Sequence, residues 1–191
     1  MTAAIAYGFR PVVGGNTSPR TKLYSVASNY GTALFKGDPV VITGEATTNG
    51  FYPLVQLSTV TGAVTGIIAG FRKTMDADPD NRFPYLPANT GGFVEVYDCT
   101  DMEYVVRTAD TAFTVNMIGL NACFIAGTGS TTIFTSGAHL DTGETNAPAT
   151  TVTFPFKIRG LYRNGRNTVG ANCEVVVSIN NSTLRAGIVG I

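Results

Sequence analysis

The sequence predicts an all-β protein, built as an antiparallel β-barrel or β-sandwich with an extended N-terminal arm. Thr and Val are abundant while Lys and Glu are scarce, and this balance suits pleated, half-buried strands better than exposed helices. Hydrophobic residues make up 44% of the 191 residues and charged residues only 14%, which is the composition of an ordered, compact chain. Short β-rich runs also recur between turn residues at intervals of about 8–12 residues, as in sandwiches and barrels.

Ten runs are predicted as strands, and no window shows a convincing helical repeat of apolar residues. The runs are Lys22–Ala27, Pro39–Thr43, Phe51–Leu57, Val64–Phe71, Phe93–Tyr97, Glu103–Arg107, Cys123–Ala126, Thr131–Thr135, Val152–Leu161 and Asn172–Ile179. In the ninth run, Phe156 and Ile158 would share one face of the strand, opposite Lys157 and Arg159. The Asn164–Gly165 turn signal that follows predicts a hairpin or a neighbouring strand pair.

The beginning of the chain differs from the rest, because "YGFRPVVGGNTSPRTKLY" is rich in Pro and Gly but not polar. We therefore predict an extended arm, residues 1–30, and a single composite β domain, residues 31–191, with a split into two lobes near Cys99 as the alternative. The apolar arm side chains need cover, either from their own domain or from a partner. The stretches Thr74–Gly92 and Ser136–Thr151 lack strand patterns and are predicted as surface loops.

The charge balance bears on possible partners. The formal net charge is zero, so the chain lacks the basic excess that general nucleic-acid binding needs. Near-zero charge also gives little repulsion between protein molecules, which favours association. One basic cluster is present, formed by Lys157, Arg159, Arg163 and Arg166. Four positive charges in a neutral protein favour a contact with an acidic protein surface, the alternative being a solvated strand face and loop.

The acidic stretch "MDADPDNR" is the only place where the chain concentrates its carboxylates. Asp76, Asp78 and Asp80 alternate as the ligands of a calcium loop do and are a candidate metal site. However, Asn81 stands at the sixth position, where an EF-hand loop needs Gly, and Pro87 stands at the twelfth, where it needs Glu. Arg72, Lys73 and Arg82 also flank the acids and would neutralise them. The sequence therefore favours a structural turn.

No other pattern indicates catalysis or a cofactor. His139 is the single histidine; it lies in a Gly/Thr-rich loop near Asp141 and Glu144, without a nucleophile-elbow motif, and is predicted as an exposed loop residue. The three cysteines are dispersed and are predicted as buried free thiols, which fits synthesis in a reducing cytoplasm. No secretion signal is evident at the start, and no apolar run approaches the roughly 20 residues that a membrane span needs.

Several strings carry a resemblance to a known family. "YGTALFKGDPVVITG", Tyr30–Gly44, followed by "VTGAVTGIIAGF", Val60–Phe71, resembles the small β-barrel unit of bacteriophage capsid-associated proteins. The ending Phe156–Ser182 is similar to the last strands of small head proteins of tailed phages, and the arm string "YGFRPV", Tyr7–Val12, is similar to their arms. The chain thus resembles head decoration proteins, also called cement proteins, over about half of its length.

This resemblance implies a non-enzymatic structural protein of the virion, without cofactors. It would be made in the host cytoplasm and lie on the capsid surface, bound to the major capsid protein as a homo-oligomer, a dimer or trimer, with no nucleic-acid or membrane partner. We expect the contacts from the arm and from the tip of the basic cluster, through Tyr7, Phe9, Arg10, Pro11, Arg163 and Arg166. Deletion of residues 1–19 is expected to abolish attachment and to leave a folded β core.

Two other classes of function remain open at this stage. The first is a tail- or fibre-associated module that binds a receptor or glycan, with Tyr85 and Asn89 among its exposed loop residues. The second is a hydrolase that uses paired carboxylates, although the chain contains no Trp, the residue that commonly forms a sugar-stacking platform.

Overall fold

A computed structural model describes residues 6–12, 19–74 and 82–185, and the fold is all-β as predicted. The described residues form thirteen strands and one short 3-10 turn, Val115–Met117. The strands are β1 (Arg10–Pro11), β2 (Lys22–Val26), β3 (Pro39–Ala46), β4 (Pro53–Leu57), β5 (Gly66–Arg72), β6 (Arg82–Phe83), β7 (Gly92–Tyr97), β8 (Glu103–Arg107), β9 (Asn121–Ala122), β10 (Phe124–Ile125), β11 (His139–Leu140), β12 (Phe156–Leu161) and β13 (Glu174–Ile179).

The first half of the chain forms a small closed barrel. Its strands pair in the order β3–β4–β2–β7–β5, and β5 returns to pair with β3. All of these pairs are antiparallel except β2–β4, which meet in parallel at Ser25 and Leu54. β6 pairs with β5 outside the ring. Closure gives each of the five barrel strands a paired strand on both sides, although β2 and β4 pair at a single position.

The second half of the chain, joined by β1 from the arm, forms a five-stranded sheet in the order β1–β8–β13–β12–β9, and β10 pairs with β11 beside it. The predicted hairpin is present, because Phe156 pairs with Ile179 and Leu161 with Val175 across β12 and β13. A register shift between Ile158 and Gly160 marks a bulge in β12. The predicted turn is also present: the Asn167 N–H donates to the Asn164 carbonyl at 2.9 Å.

Strand β5 serves two hydrophobic cores, because successive side chains of a strand point to opposite faces. Ile68 and Phe71 lie in the barrel core with residues of β2, β3, β4 and β7. Ile67, with Val64 just before the strand, lies in the second core, which the five-stranded sheet covers. The barrel strands precede Cys99, whereas β8 to β13 follow it. The division between one composite domain and two lobes stays a prediction.

The described part of the arm packs against its own domain. Phe9 is 1% exposed and its ring stacks on Phe156 with the centroids 4.3 Å apart, while Phe124 meets it edge-on at 6.2 Å. Arg10 and Pro11 form β1 at the margin of the five-stranded sheet. Pro11 has no N–H to donate, so this margin is a poor template for a further strand.

Three predicted strands differ from the structure. Residues 131–134 form a turn, because the Ser130 N–H donates to the Thr135 carbonyl at 2.9 Å and closes the segment on itself. The predicted run Val152–Leu161 becomes a strand only at Phe156, since residues 152–155 are in turns and bends. Of the predicted run Cys123–Ala126, only Phe124–Ile125 forms a strand, β10.

Both predicted surface loops also contain structure that the sequence did not indicate. The stretch Thr74–Gly92 contains β6. The stretch Ser136–Thr151 contains β11 and is partly buried. In it, Asp141 is fully buried, and its carboxylate accepts hydrogen bonds from four successive backbone N–H groups, those of residues 143 to 146, at 2.6–3.3 Å. A polar sequence is therefore compatible with burial here, because backbone donors satisfy the charge.

The Gly-Asp-Pro-Val step is the point where the arm, the barrel and a later loop meet. Gly37, at φ 94°, accepts the Phe9 N–H at 3.0 Å and donates to the Ile68 carbonyl at 2.9 Å. Asp38, 5% exposed, accepts the Phe35 N–H at 2.7 Å through Oδ2, and Pro39 begins β3. Burial raises the pKa of Asp38 from 3.8 to about 6, against the opposing effect of hydrogen bonds from Ser136 and the Phe35 backbone.

This pKa predicts a pH-dependent contribution of Asp38 to stability. A carboxyl group with a raised folded-state pKa destabilises the fold when it is ionised. The free energy of unfolding is therefore lowered above pH 6, and this lowering disappears as the pH falls towards 3.8. Between pH 7 and pH 4.5, the free energy of unfolding of the wild type should rise by about 2 kcal/mol relative to Asp38→Asn, whose amide oxygen keeps the acceptor. Urea denaturation of both proteins across this range measures the difference. Parallel pH profiles would contradict the raised pKa.

Candidate partner-binding surface

The arm and the basic loop meet at one carboxylate, that of Glu174. The Tyr7 hydroxyl donates to Glu174 Oε1, and Arg10 Nη2 lies 3.2 Å from the same oxygen. The Arg10 guanidinium also stands over the Tyr7 ring, 3.8 Å from its centroid. Burial, and then the hydrogen bond to Glu174, raise the pKa of the Tyr7 hydroxyl, which therefore remains a proton donor. The three side chains fasten the arm to the first residue of β13.

Glu174 also closes the base of the loop between β12 and β13. Its backbone N–H donates to Asn167 Oδ1 at 2.9 Å, and Asn167 Nδ2 donates to the carbonyls of Glu174 and Tyr162 at 2.7 and 2.8 Å. Arg163 and Arg166 lie exposed in this loop, next to Tyr162 and Asn167. The fold thus brings two of the predicted arm residues to the base of the loop that carries the two predicted tip residues.

Phe9 differs from the other predicted contact residues. Its ring is buried in the core of its own chain, so in this conformation it presents no surface to a partner. The proposed deletion of residues 1–19 would also remove this ring from its contacts with Phe156 and Phe124. The deletion is therefore a test of folding as much as of attachment, and substitutions on the surface are needed instead.

The basic cluster has no carboxylate partner within the described residues. The salt bridges there involve Arg10, Lys22, Arg72 and Arg82 as the basic members, and Arg159 donates its Nε–H to the neutral Ser178 hydroxyl at 2.9 Å. Residues 145–173 also contain no Asp or Glu at all. None of the four charges of the cluster therefore has a salt bridge among the described residues; on the same sheet, the acid Glu103 lies opposite Ser178 on the neighbouring strand β8.

Three exposed apolar side chains border this cluster. Val115, Ile118 and Val169 are 60%, 44% and 48% exposed. The segment that contains Val115 and Ile118 lies along β12, because the Gly119 N–H donates to the Ile158 carbonyl at 2.9 Å. The loop that contains Val169 contacts the same segment, because the Phe113 N–H donates to the Gly170 carbonyl at 3.0 Å. We call the surface the basic corner; its residues are Val115, Ile118, Arg159, Arg163, Arg166 and Val169.

Sequence reasoning missed the apolar half of the basic corner. Val115 and Ile118 lie in a segment without strand alternation, and the hydrogen bonds that place them beside β12 span about 40 residues of chain. The one signal available in the sequence is the lack of any charged residue between positions 111 and 138. That signal indicates neither exposure nor neighbours.

A cleft of about 500 Å³ lies elsewhere, around His139. Its walls include Arg107, Asp110, His139, Glu144 and Asn172, together with hydroxyl groups from residues 128–136. His139 is half-buried in β11 rather than exposed, and its Nδ1 lies 3.0 Å from the Gly137 carbonyl. Glu144 Oε1 accepts the Asp110 N–H at 2.9 Å. The cleft offers hydrogen-bonding groups to a small polar ligand. His139, Glu144 and Asp141 each hydrogen-bond to backbone groups.

The acidic stretch of the candidate metal site, Asp76, Asp78 and Asp80, lies outside the described residues. The two arginines that flank it contact Glu95, with Arg72 Nε at 2.7 Å from Oε1 and Arg82 Nη1 at 3.8 Å from Oε2. Within residues 6–12, 19–74 and 82–185, no group of three or more His, Cys, Asp or Glu side chains could hold a metal ion. In the same ranges, no helix is long and apolar enough to cross a bilayer.

Comparison of the chain with protein-family models, with curated proteins and with solved structures finds no match. The class of the protein therefore follows from its own geometry. It is an all-β protein with a closed barrel, a second sheet and an arm fastened to that sheet.

Proposed function

We propose that this chain is a structural virion protein that binds the outer surface of a tailed-phage capsid and stabilises the lattice. The observation that carries the proposal is that the arm is fastened to Glu174 beside a basic corner whose arginines form no salt bridge among the described residues. Such a surface is preformed, so binding of a partner would cost this chain little conformational entropy. The resemblance of parts of the sequence to decoration proteins suggests that the partner is the major capsid protein.

Repetition on a lattice would strengthen attachment through a surface of this size. If the chain assembles as a dimer or trimer, each oligomer presents two or three copies of the basic corner at fixed spacing. Linked contacts bind as one unit, so the contact of each copy can be modest while the assembly remains bound. In this proposal the barrel and the sheet act as a brace, and the chain performs no catalysis.

A second candidate is supported by the polar cleft around His139. A receptor- or glycan-binding module of a tail or fibre would use such a cleft, since its walls carry the hydroxyl, amide and carboxylate groups that sugars need as partners. The loop residue Tyr85 is a poor sugar platform, however, because its ring is stacked between Phe35 at 5.1 Å and Phe134 at 5.9 Å. Asn89 lies nearby in a left-handed turn conformation, φ 55°.

Co-sedimentation with capsids of the source phage tests the proposal. The number of bound copies per major capsid subunit should be fixed and high, and it should depend on whether the lattice has matured. A few copies per particle, together with glycan-array binding that a substitution in the cleft such as Glu144→Gln abolishes, would favour the tail or fibre module. Absence of any association with heads would contradict the capsid function.

A further inference from the structure

We propose that the basic corner is a docking surface for an acidic patch on another protein. The inference deepens the capsid function, and in that setting the acidic patch belongs to the capsid subunit. It commits to a protein partner rather than to a nucleic acid or a membrane. Three parts of the structure support this docking surface: the charge of the corner, its apolar side chains and the hydrogen bonds that hold its loop.

Charge is distributed unevenly along the chain. Residues 145–191 contain five basic side chains and one acidic side chain, Glu174. That one carboxylate is occupied by Tyr7 and Arg10 on the arm, so it does little to neutralise Arg163 and Arg166. Arginines that form no salt bridge within the described residues are electrostatically complementary to a negative surface, and complementarity of this kind raises the association rate and fixes orientation.

The exposed apolar side chains of the corner favour a protein partner over a polyanion such as a nucleic acid. Val115, Ile118 and Val169 expose roughly half or more of their surface beside the arginines. Phosphate and sulfate groups gain nothing from such side chains, whereas protein interfaces place apolar side chains among arginines at their centres. The corner combines both components, and burial of the three side chains would add affinity that salt does not screen.

The third part is the fixation of the loop. Asn167 links the two ends of the loop by three hydrogen bonds to Tyr162 and Glu174, and the Phe113 N–H holds Gly170 near its end. The backbone that carries Arg163, Arg166 and Val169 is therefore positioned before any partner arrives. A preorganised loop is favourable for docking, because little conformational entropy is lost when a partner binds.

Two variants and a matched control test the inference in the full chain. Arg163→Glu with Arg166→Glu reverses the charge of the corner. Val115→Ser with Ile118→Ser removes its apolar part and leaves the charge. Arg20→Glu with Lys73→Glu, both exposed and in other parts of the chain, changes the net charge as much as the first variant. All proteins should keep the wild-type urea midpoint, because every substituted side chain is exposed.

Binding is measured to capsids of the source phage, to immobilised poly-L-glutamate and to a 30-base-pair DNA duplex at two salt concentrations. We expect the arginine variant to lose roughly 10-fold or more in affinity for capsids and for poly-L-glutamate. The valine–isoleucine variant should lose roughly 10-fold for capsids alone, since poly-L-glutamate offers no apolar surface. The control should stay within about 2-fold of the wild type for both.

The outcomes separate the inference from the capsid function. Capsid binding that the arginine variant retains in full overturns the docking surface and leaves the capsid function standing. Failure of the wild type to bind capsids, with poly-L-glutamate binding that depends on the two arginines, overturns the capsid function and supports an acidic protein partner elsewhere. An equal loss in the control, or duplex DNA bound as tightly as capsids, overturns the inference, because net charge alone would then explain binding.

Discussion

Replacement of Phe9 by alanine is expected to lower the free energy of unfolding by about 3–5 kcal/mol, the range found for buried phenylalanines. The ring is 1% exposed, and it lies in a cluster of three aromatic side chains with Phe124 and Phe156. Its loss removes apolar burial and leaves a cavity that the neighbouring rigid rings are unable to fill. Equilibrium urea denaturation, followed by tyrosine fluorescence and circular dichroism, measures the change.

Phe51→Ala provides the matched control for this prediction. Phe51 is 76% exposed at the turn between β3 and β4, so the same chemical change there should alter the free energy of unfolding by less than about 0.5 kcal/mol. A loss below about 1 kcal/mol for Phe9→Ala would mean that the arm is not part of the core in solution. In that case the arm would again be available to a partner, as the sequence left open.

The second large effect is expected at Gly8, where the arm crosses the Gly-Asp-Pro-Val turn. Gly8 has φ 71°, and a Cβ built there would lie 2.6 Å from Ser136 Cβ and 2.7 Å from the Gly37 carbonyl oxygen. Gly8→Ala therefore combines a left-handed conformation, which costs an L-residue about 1–2 kcal/mol, with overlap against backbone atoms. We expect a total loss of about 3 kcal/mol or more in the free energy of unfolding.

Gly31→Ala is the control for the crossing, because a Cβ at Gly31 meets no atom within 4 Å and its φ is not in the left-handed region. That variant should be neutral or slightly stabilising, since alanine reduces the entropy of the unfolded chain. Equal stability of Gly8→Ala and Gly31→Ala would show that the crossing is looser than the structure has it. The comparison also tests whether the arm and the barrel unfold together, because a loose crossing would give two transitions in place of one.

These two predictions bear on function as well as on stability. If the arm is part of the core, Phe9 and Gly8 act by holding Tyr7 and Arg10 against Glu174, and the surface near the basic corner depends on them indirectly. Their variants should then lose attachment only as far as they lose folding. The arginine variant of the basic corner should lose attachment while it keeps the wild-type fold, so the two kinds of residue are distinguishable by experiment.

The fold class, most of the long strands and one hairpin could be predicted from the amino-acid sequence. Alternation in β12 and β13 made Phe156, Ile158, Val175 and Val177 inward-facing, and they are buried. The Asn-Gly pair located a turn that is present. These features are local, because strand alternation and turn chemistry depend on residues close together in the chain. The basic cluster was also visible, since four of its charges lie within ten consecutive residues.

The contacts between distant segments could not be predicted in this way. Barrel closure depends on the pairing of β3 with β5, and the burial of Phe9 depends on a ring almost 150 residues away. Two-residue strands such as β1, β6 and β11 have no alternation to detect, so they form only because a partner strand is already in place. Asp141 is buried despite its charge because backbone N–H groups from its own turn surround it. Val115 and Ile118 border the arginines for the same general reason: long-range hydrogen bonds fix their neighbours, and a one-dimensional pattern contains no record of contacts between distant residues.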